Sequence, residues 1–265
     1  MNVGSLLAMV AIIWVGVTSP IFSLSQGEPG ALLKVYYWPF YGRAGSIIQM
    51  LDYSRTPFEW VSVESNKAEF LAVLSARART YATVTGTCKS CDTFAPPVVV
   101  DGTFAISQST AAAMYIGDKV GLGGARIPSI YKAVQYLNDL ADLTSEAIGA
   151  ALNHGDDPSM LHNFLDGRLQ AWMANIEHSI SGSPYYFGTE VTYVDFYFLN
   201  TFDWAIDDVF YNALKAKMGN IYADFPKIAT LLAAMRSMPS YASKHGGYYL
   251  GIEFERISAK LAKAY

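Results

Sequence analysis

Cysteine is almost missing from this sequence: 265 residues hold two, Cys88 and Cys91. So few thiols exclude a disulfide-stapled scaffold. Two thiols give half of a four-ligand zinc site, and only four histidines exist to complete one, so no metal is expected. Charge is also scarce, at 16% of residues with a formal net charge of −4. The lysines and arginines are scattered, and without a positive face nucleic-acid binding is not expected. Low complexity and disorder do not fit a chain that is 52% hydrophobic. Its length can bury one or two ordinary cores.

The first 27 residues contain no charged side chain, and Val3 to Val17 is nearly continuously apolar. A helical span needs roughly 20 apolar residues, and Thr18, Ser19 and Pro20 interrupt the run before that. A cleaved secretory signal over 1–27 is the favoured reading, with Ser23 and Ser25 spaced for cleavage after Ser25. It would route the chain to the secretory pathway or an organelle reached through it. A retained anchor over residues 3–24 is the second reading, and a buried helix the third. There is no N-x-S/T glycosylation acceptor, nor a basic residue ahead of the apolar run.

What is present divides the remainder. Lys34 to Trp38 reads as a strand halted by Pro39, Gly42 to Ser54 as a helix, and Phe58 to Val63 as a second strand. Ser65 to Thr93 is mixed, helical around Phe70 to Leu74 and loop-like from Thr80. The segment from Pro96 to Ile106 holds two apolar runs around Asp101-Gly102, a hairpin signal. Ser107 to Thr110 then caps a helix ending near Gly121. Beyond Pro128 strand signals vanish, and helical periodicity marks Ser129–Leu152, Ser159–Ile180, Val194–Met218 and Phe225–Met238. The expected fold is an α/β domain over residues 32–121 (βαβ-α-ββα), then an all-helical domain over 128–250 and a tail over 251–265.

Several segments resemble one family in order and distance. Tyr37-Trp38-Pro39-Phe40-Tyr41-Gly42-Arg43 resembles the first strand and turn of tyrosine-type cytosolic glutathione transferases. Pro97 to Gly102 with Ser107-Gln108-Ser109-Thr110 resembles that family's cis-proline hairpin and glutathione-binding helix. Thr192-Tyr193-Val194-Asp195 resembles the capping box of its buried helix, and Phe225-Pro226 through Pro239 its final block. The match spans about Lys34 to His245 and implies a thioredoxin-like first domain, glutathione as co-substrate and a homodimer.

The resemblance makes Tyr37 the catalytic candidate, with Tyr36 and Tyr41 as fallbacks. A thiol with a pKa of about 8.5 is mostly protonated at neutral pH, and a hydroxyl donating to its sulfur favours the thiolate. Glutathione would also meet Arg43, Pro96, Pro97, Gln108, Ser109 and Asp142. The last is an acidic residue of the type that related enzymes present to a partner subunit's glutathione. At Gln108 and Ser109 the free amides of a helix start attract an anion. A small hydrophobic electrophile would lie near Phe40, Tyr41, Tyr136 and Tyr249.

Two features depart from the family pattern. Pro96 precedes the family's cis-proline position and has no N–H, which removes a hydrogen bond to glutathione on the order of 1 kcal/mol. If Pro96 were itself the cis residue, Ala95 would supply both backbone groups. The stretch from Ser65 to Thr93 is long and lacks tryptophan, leaving Lys67, Arg77 and Arg79 as cationic candidates. Cys88 and Cys91 lie there too, away from the first strand–helix turn where a redox pair belongs, so a loop disulfide is the expected pairing. Three functions follow: a transferase (with isomerisation or peroxide reduction as relatives of that chemistry), a non-catalytic crystallin-like binding protein, and, disfavoured by position, a dithiol oxidoreductase.

Overall fold

The computed structural model describes residues 32–75, 95–152, 159–208 and 220–242. Strand β1 (Leu33–Tyr36) leads through a 3-10 turn (Gly42–Ala44) into helix α1 (Gly45–Ser54), and β2 (Phe58–Val61) follows. Helix α2 (Lys67–Ser75), strands β3 (Val98–Asp101) and β4 (Phe104–Ser107), and helix α3 (Ser109–Lys119) complete the first unit. The sheet order is β2-β1-β3-β4, with β1 and β2 parallel and the other pairs antiparallel. This is the βαβ-α-ββα arrangement read from the sequence.

Alternation along β1 builds two cores. Leu33, Val35 and Tyr37 face α1, α3 and the helical unit, whereas Tyr36 joins Val61, Phe70 and Val98 on the other side. Tyr36 donates its hydroxyl hydrogen to Glu69 at 2.6 Å on that far face.

The helical unit comprises α4 (Ile130–Leu152), α5 (Ser159–Asn163), α6 (Leu169–Ser179), α7 (Tyr193–Asn200), α8 (Pro226–Arg236) and α9 (Pro239–Ala242). Two stretches widen into π-helix, Phe164–Arg168 and Thr201–Asp208, which the periodicity reading did not foresee. All eight residues of α7 are buried, as a helix with apolar residues on most of its faces must be. Its start is the expected capping box. The Asp195 carboxylate accepts the Thr192 N–H at 2.7 Å and also takes the Tyr186 N–H at 2.7 Å. Among the described residues no helix is long and apolar enough to cross a membrane. The expected signal or anchor, residues 1–27, lies outside the described residues, as do Cys88, Cys91, Arg77, Arg79 and Tyr249.

Candidate functional site

The site forms where β1 turns into α1 against α7. Tyr37 follows the last β1 residue and extends the strand, its N–H donating to the Val61 carbonyl at 3.1 Å. The side chain is 5% exposed. Its hydroxyl accepts the Arg43 backbone N–H at 2.8 Å. Gly42 permits this approach: its φ is +42°, and a β-carbon there would sit 2.6 Å from the Tyr37 hydroxyl. Burial pushes the Tyr37 pKa up to about 12, although the Arg43 amide and guanidinium pull the other way. The phenol therefore stays protonated at neutral pH. With its oxygen already accepting the Arg43 amide, it has one hydrogen to donate.

A second polar group converges on the same place. Ser109, at the first position of α3, shares a hydrogen bond of 2.8 Å with the Tyr197 hydroxyl of α7, and both residues are buried. Burial raises the Tyr197 pKa, Ser109 and the Arg43 charge oppose that, and Asp142 reinforces it. So Tyr37, Arg43, Ser109, Tyr197 and Asp142 share one electrostatic neighbourhood. Asp142 is exposed on α4, and one turn along, Ser145 Oγ accepts the Arg43 guanidinium at 3.0 Å.

The start of α3 differs from the expected cap. Its N-cap residue is Gln108, held at φ 68° and ψ 115°, and no side chain caps the helix. The reason is local: Gln108 is turned into a sparsely populated backbone region, and the Ser109 hydroxyl is engaged by Tyr197. A non-glycine residue held there costs on the order of 1–3 kcal/mol. The result is a helix start whose amides have no side-chain cap, an arrangement suited to a carboxylate. The Pro96–Pro97 peptide bond is cis, so Pro97 is the cis residue and Pro96 the one lacking an N–H before it.

The apolar candidates separate. Phe40 packs edge-on to Tyr37 at 5.7 Å and stands 6.5 Å from Trp204 in the second π-helical stretch. Tyr41, expected in the cleft, is instead buried behind α1, stacked at 5.9 Å on Trp60. The strand has ended by then, so alternation no longer places it. Tyr136 also lies elsewhere, its ring 5.0 Å from Tyr186 and 6.0 Å from Phe187. The fallback Tyr36 is on the opposite face of the sheet, bound to Glu69. Lys67 is exposed at the start of α2. Sequence reasoning missed Tyr197, Ser145, Trp204 and Asn200. Tyr197 and Asn200 could have been sought as polar groups in a helix apolar on most of its faces. Among the described residues no group of three His, Cys, Asp or Glu could hold a metal.

The architecture is glutathione transferase-like: a four-stranded mixed sheet with helices, followed by a helical domain. Residues 142–243 match the family described as glutathione S-transferase, C-terminal domain. Among solved structures, prostaglandin synthase D of Nilaparvata lugens superposes with a TM-score of 0.57 at 20% identity, covering 80% of this chain and 96% of that one. The Onchocerca volvulus Pi-class glutathione S-transferase gives 0.59 at 15% identity, covering 87% and 96%. Rat hPGDS complexed with a quinoline gives 0.58 at 18% identity, covering 83% and 100%. No curated protein matches the sequence significantly.

Proposed function

We propose that this protein is a glutathione transferase of the tyrosine type, in which the Tyr37 hydroxyl stabilises the glutathione thiolate. The observation that carries this reading is the Tyr37 hydroxyl itself. It is buried, protonated, and fixed by the Arg43 N–H at 2.8 Å. A donor fixed in a low-dielectric pocket favours the charged form of an incoming thiol. The uncapped start of α3 at Gln108 and Ser109 would receive the γ-glutamyl carboxylate. Arg43 and Asp142 complete the charged surroundings.

The chemistry needs no change in Tyr37. The thiol releases its proton to solvent, the Tyr37 O–H donates to the resulting sulfur anion, and the sulfur lone pair forms a bond to electrophilic carbon. The displaced electron pair leaves with a leaving group or settles on the electrophile. Phe40 and Trp204 offer an apolar aromatic wall, which suits a small hydrophobic electrophile. The likeness to the named prostaglandin synthase and Pi-class transferase supports thiolate chemistry of this kind, isomerisation included.

Association as a homodimer and entry into the secretory pathway through residues 1–27 are part of the same proposal. A second reading, a non-catalytic binding protein, is favoured by Pro96, which cannot donate to the cysteinyl backbone of glutathione. Calorimetric titration of the full chain with glutathione separates the two. Saturable binding at millimolar or lower ligand supports the transferase; no heat at those concentrations supports the non-catalytic relative.

A further inference from the structure

The peptide unit that fixes Tyr37 is itself held from the other domain. Asn200, the last residue of α7, is 4% exposed, and its side-chain nitrogen donates to the Gly42 carbonyl at 2.8 Å. The Gly42 carbonyl and the Arg43 N–H belong to one amide. One side of that amide accepts Asn200, and the other donates to the Tyr37 hydroxyl at 2.8 Å. The orientation of the carboxamide is forced, because a carbonyl oxygen only accepts and must face the nitrogen. Asn200 Oδ1 then points to α1, where it has no hydrogen-bond partner. It fits only because residue 45 is glycine: a β-carbon there would lie 1.8 Å from it.

An asparagine buried with half its carboxamide unpaired is costly, and packing alone would be served by leucine. A donor on the carbonyl draws electron density out of the amide and strengthens the N–H on its far side. Hydrogen bonds in such chains reinforce one another by about 10–30% in a low-dielectric interior.

We infer that Asn200 is a positioning residue for Tyr37, polarising the Gly42–Arg43 peptide so that the Tyr37 hydroxyl becomes a stronger and better-aimed donor to the thiolate. The relay runs from the buried helix of the second domain, through one peptide of the first, to the reacting sulfur. It rests on the proposed role of Tyr37.

The test is the pKa of bound glutathione, followed by thiolate ultraviolet absorbance in wild type, Asn200→Leu, Tyr37→Phe and the double variant. Leucine keeps the branched shape of the side chain and removes the donor. The relay predicts that Asn200→Leu raises the thiol pKa by roughly 0.3 to 0.6 unit, a two- to four-fold loss of thiolate ratio, with glutathione affinity little changed. It also predicts that Asn200→Leu adds nothing on top of Tyr37→Phe, because both act through one hydroxyl. The Arg43 amide proton should move upfield in Asn200→Leu, as a weaker hydrogen bond requires.

Should the leucine variant not fold, Gly45→Ala displaces the same carboxamide from the other side, with helical backbone angles an alanine accepts. If Tyr37→Phe raises the thiol pKa but neither Asn200→Leu nor Gly45→Ala does, or if the effects add, the relay is wrong. If Tyr37→Phe leaves the pKa unmoved, the reading of Tyr37 fails first and the relay with it.

Discussion

Gly42→Ala separates backbone strain from contact at the site. At φ +42° a residue with a β-carbon loses about 1–2 kcal/mol from backbone crowding alone. The added carbon would also lie 2.6 Å from the Tyr37 hydroxyl, 2.7 Å from Phe40 and 2.8 Å from the Tyr37 ring, where ordinary contact begins near 3.4 Å. Tyr37 has to retreat by most of an ångström, which breaks its bond from the Arg43 N–H, worth about 1 kcal/mol. The expected total is about 2–3 kcal/mol of stability, together with a thiolate population reduced towards that of Tyr37→Phe. Gly121 provides the control: its φ is +76°, and a β-carbon there meets nothing within 4 Å. Gly121→Ala should cost only the backbone amount, about 1–2 kcal/mol, and leave glutathione chemistry intact. Urea unfolding of both variants, with thiolate absorbance, decides it. Equal destabilisation, or a Gly42→Ala protein with a normal thiolate, refutes the geometry drawn around Tyr37.

Further outcomes concern more distant groups. Asp195→Ala strands the buried Thr192 and Tyr186 N–H groups and should cost about 2–4 kcal/mol in urea unfolding at pH 5. Burial pushes the Asp195 pKa up to about 6, above an ordinary value near 3.9, so this group binds its proton more tightly in the folded chain. Its stabilisation is complete at low pH and fades as pH rises from about 4 through about 6, by on the order of 3 kcal/mol. Asp195→Asn should remove that slope from the pH dependence of the urea midpoint; an unchanged slope assigns it to other groups. Pro96→Ala supplies an N–H that proline lacks in any isomer. It should tighten glutathione binding by about five-fold in calorimetry, the worth of one hydrogen bond; weaker binding would place the ligand backbone elsewhere.

How much of this was legible in the sequence depends on the signal each element sends. Alternation located β2, a β-rich run halted by Pro39 located β1, the Asp101-Gly102 turn between apolar runs located β3 and β4, and helical periodicity located the main helices. The thioredoxin-like order was implied by the family resemblance, and the α7 capping box followed from the Thr192-x-x-Asp195 spacing. The π-helical stretches were not visible, since they share the composition of α-helix and differ only in where the carbonyls bond. Tyr41 and Tyr136 show the same limit among side chains. In a chain with 18 tyrosines, type and neighbourhood in sequence do not say which ring faces a cleft and which a core. Tyr197 and Asn200 reach the site from more than 150 residues away from Tyr37 in sequence, through contacts that only tertiary packing creates. Their one trace was polarity inside α7.

The most direct test of the account compares the thiol pKa of glutathione bound to wild type and to Tyr37→Phe. A hydrogen bond to a charged sulfur is worth about 1.5–3 kcal/mol, or roughly 1–2 pKa units. The account predicts a wild-type thiol lowered by that amount from its free value of about 8.5, and a Tyr37→Phe complex that still binds glutathione but returns close to the free value. Equal thiol pKa values in the two complexes would contradict it.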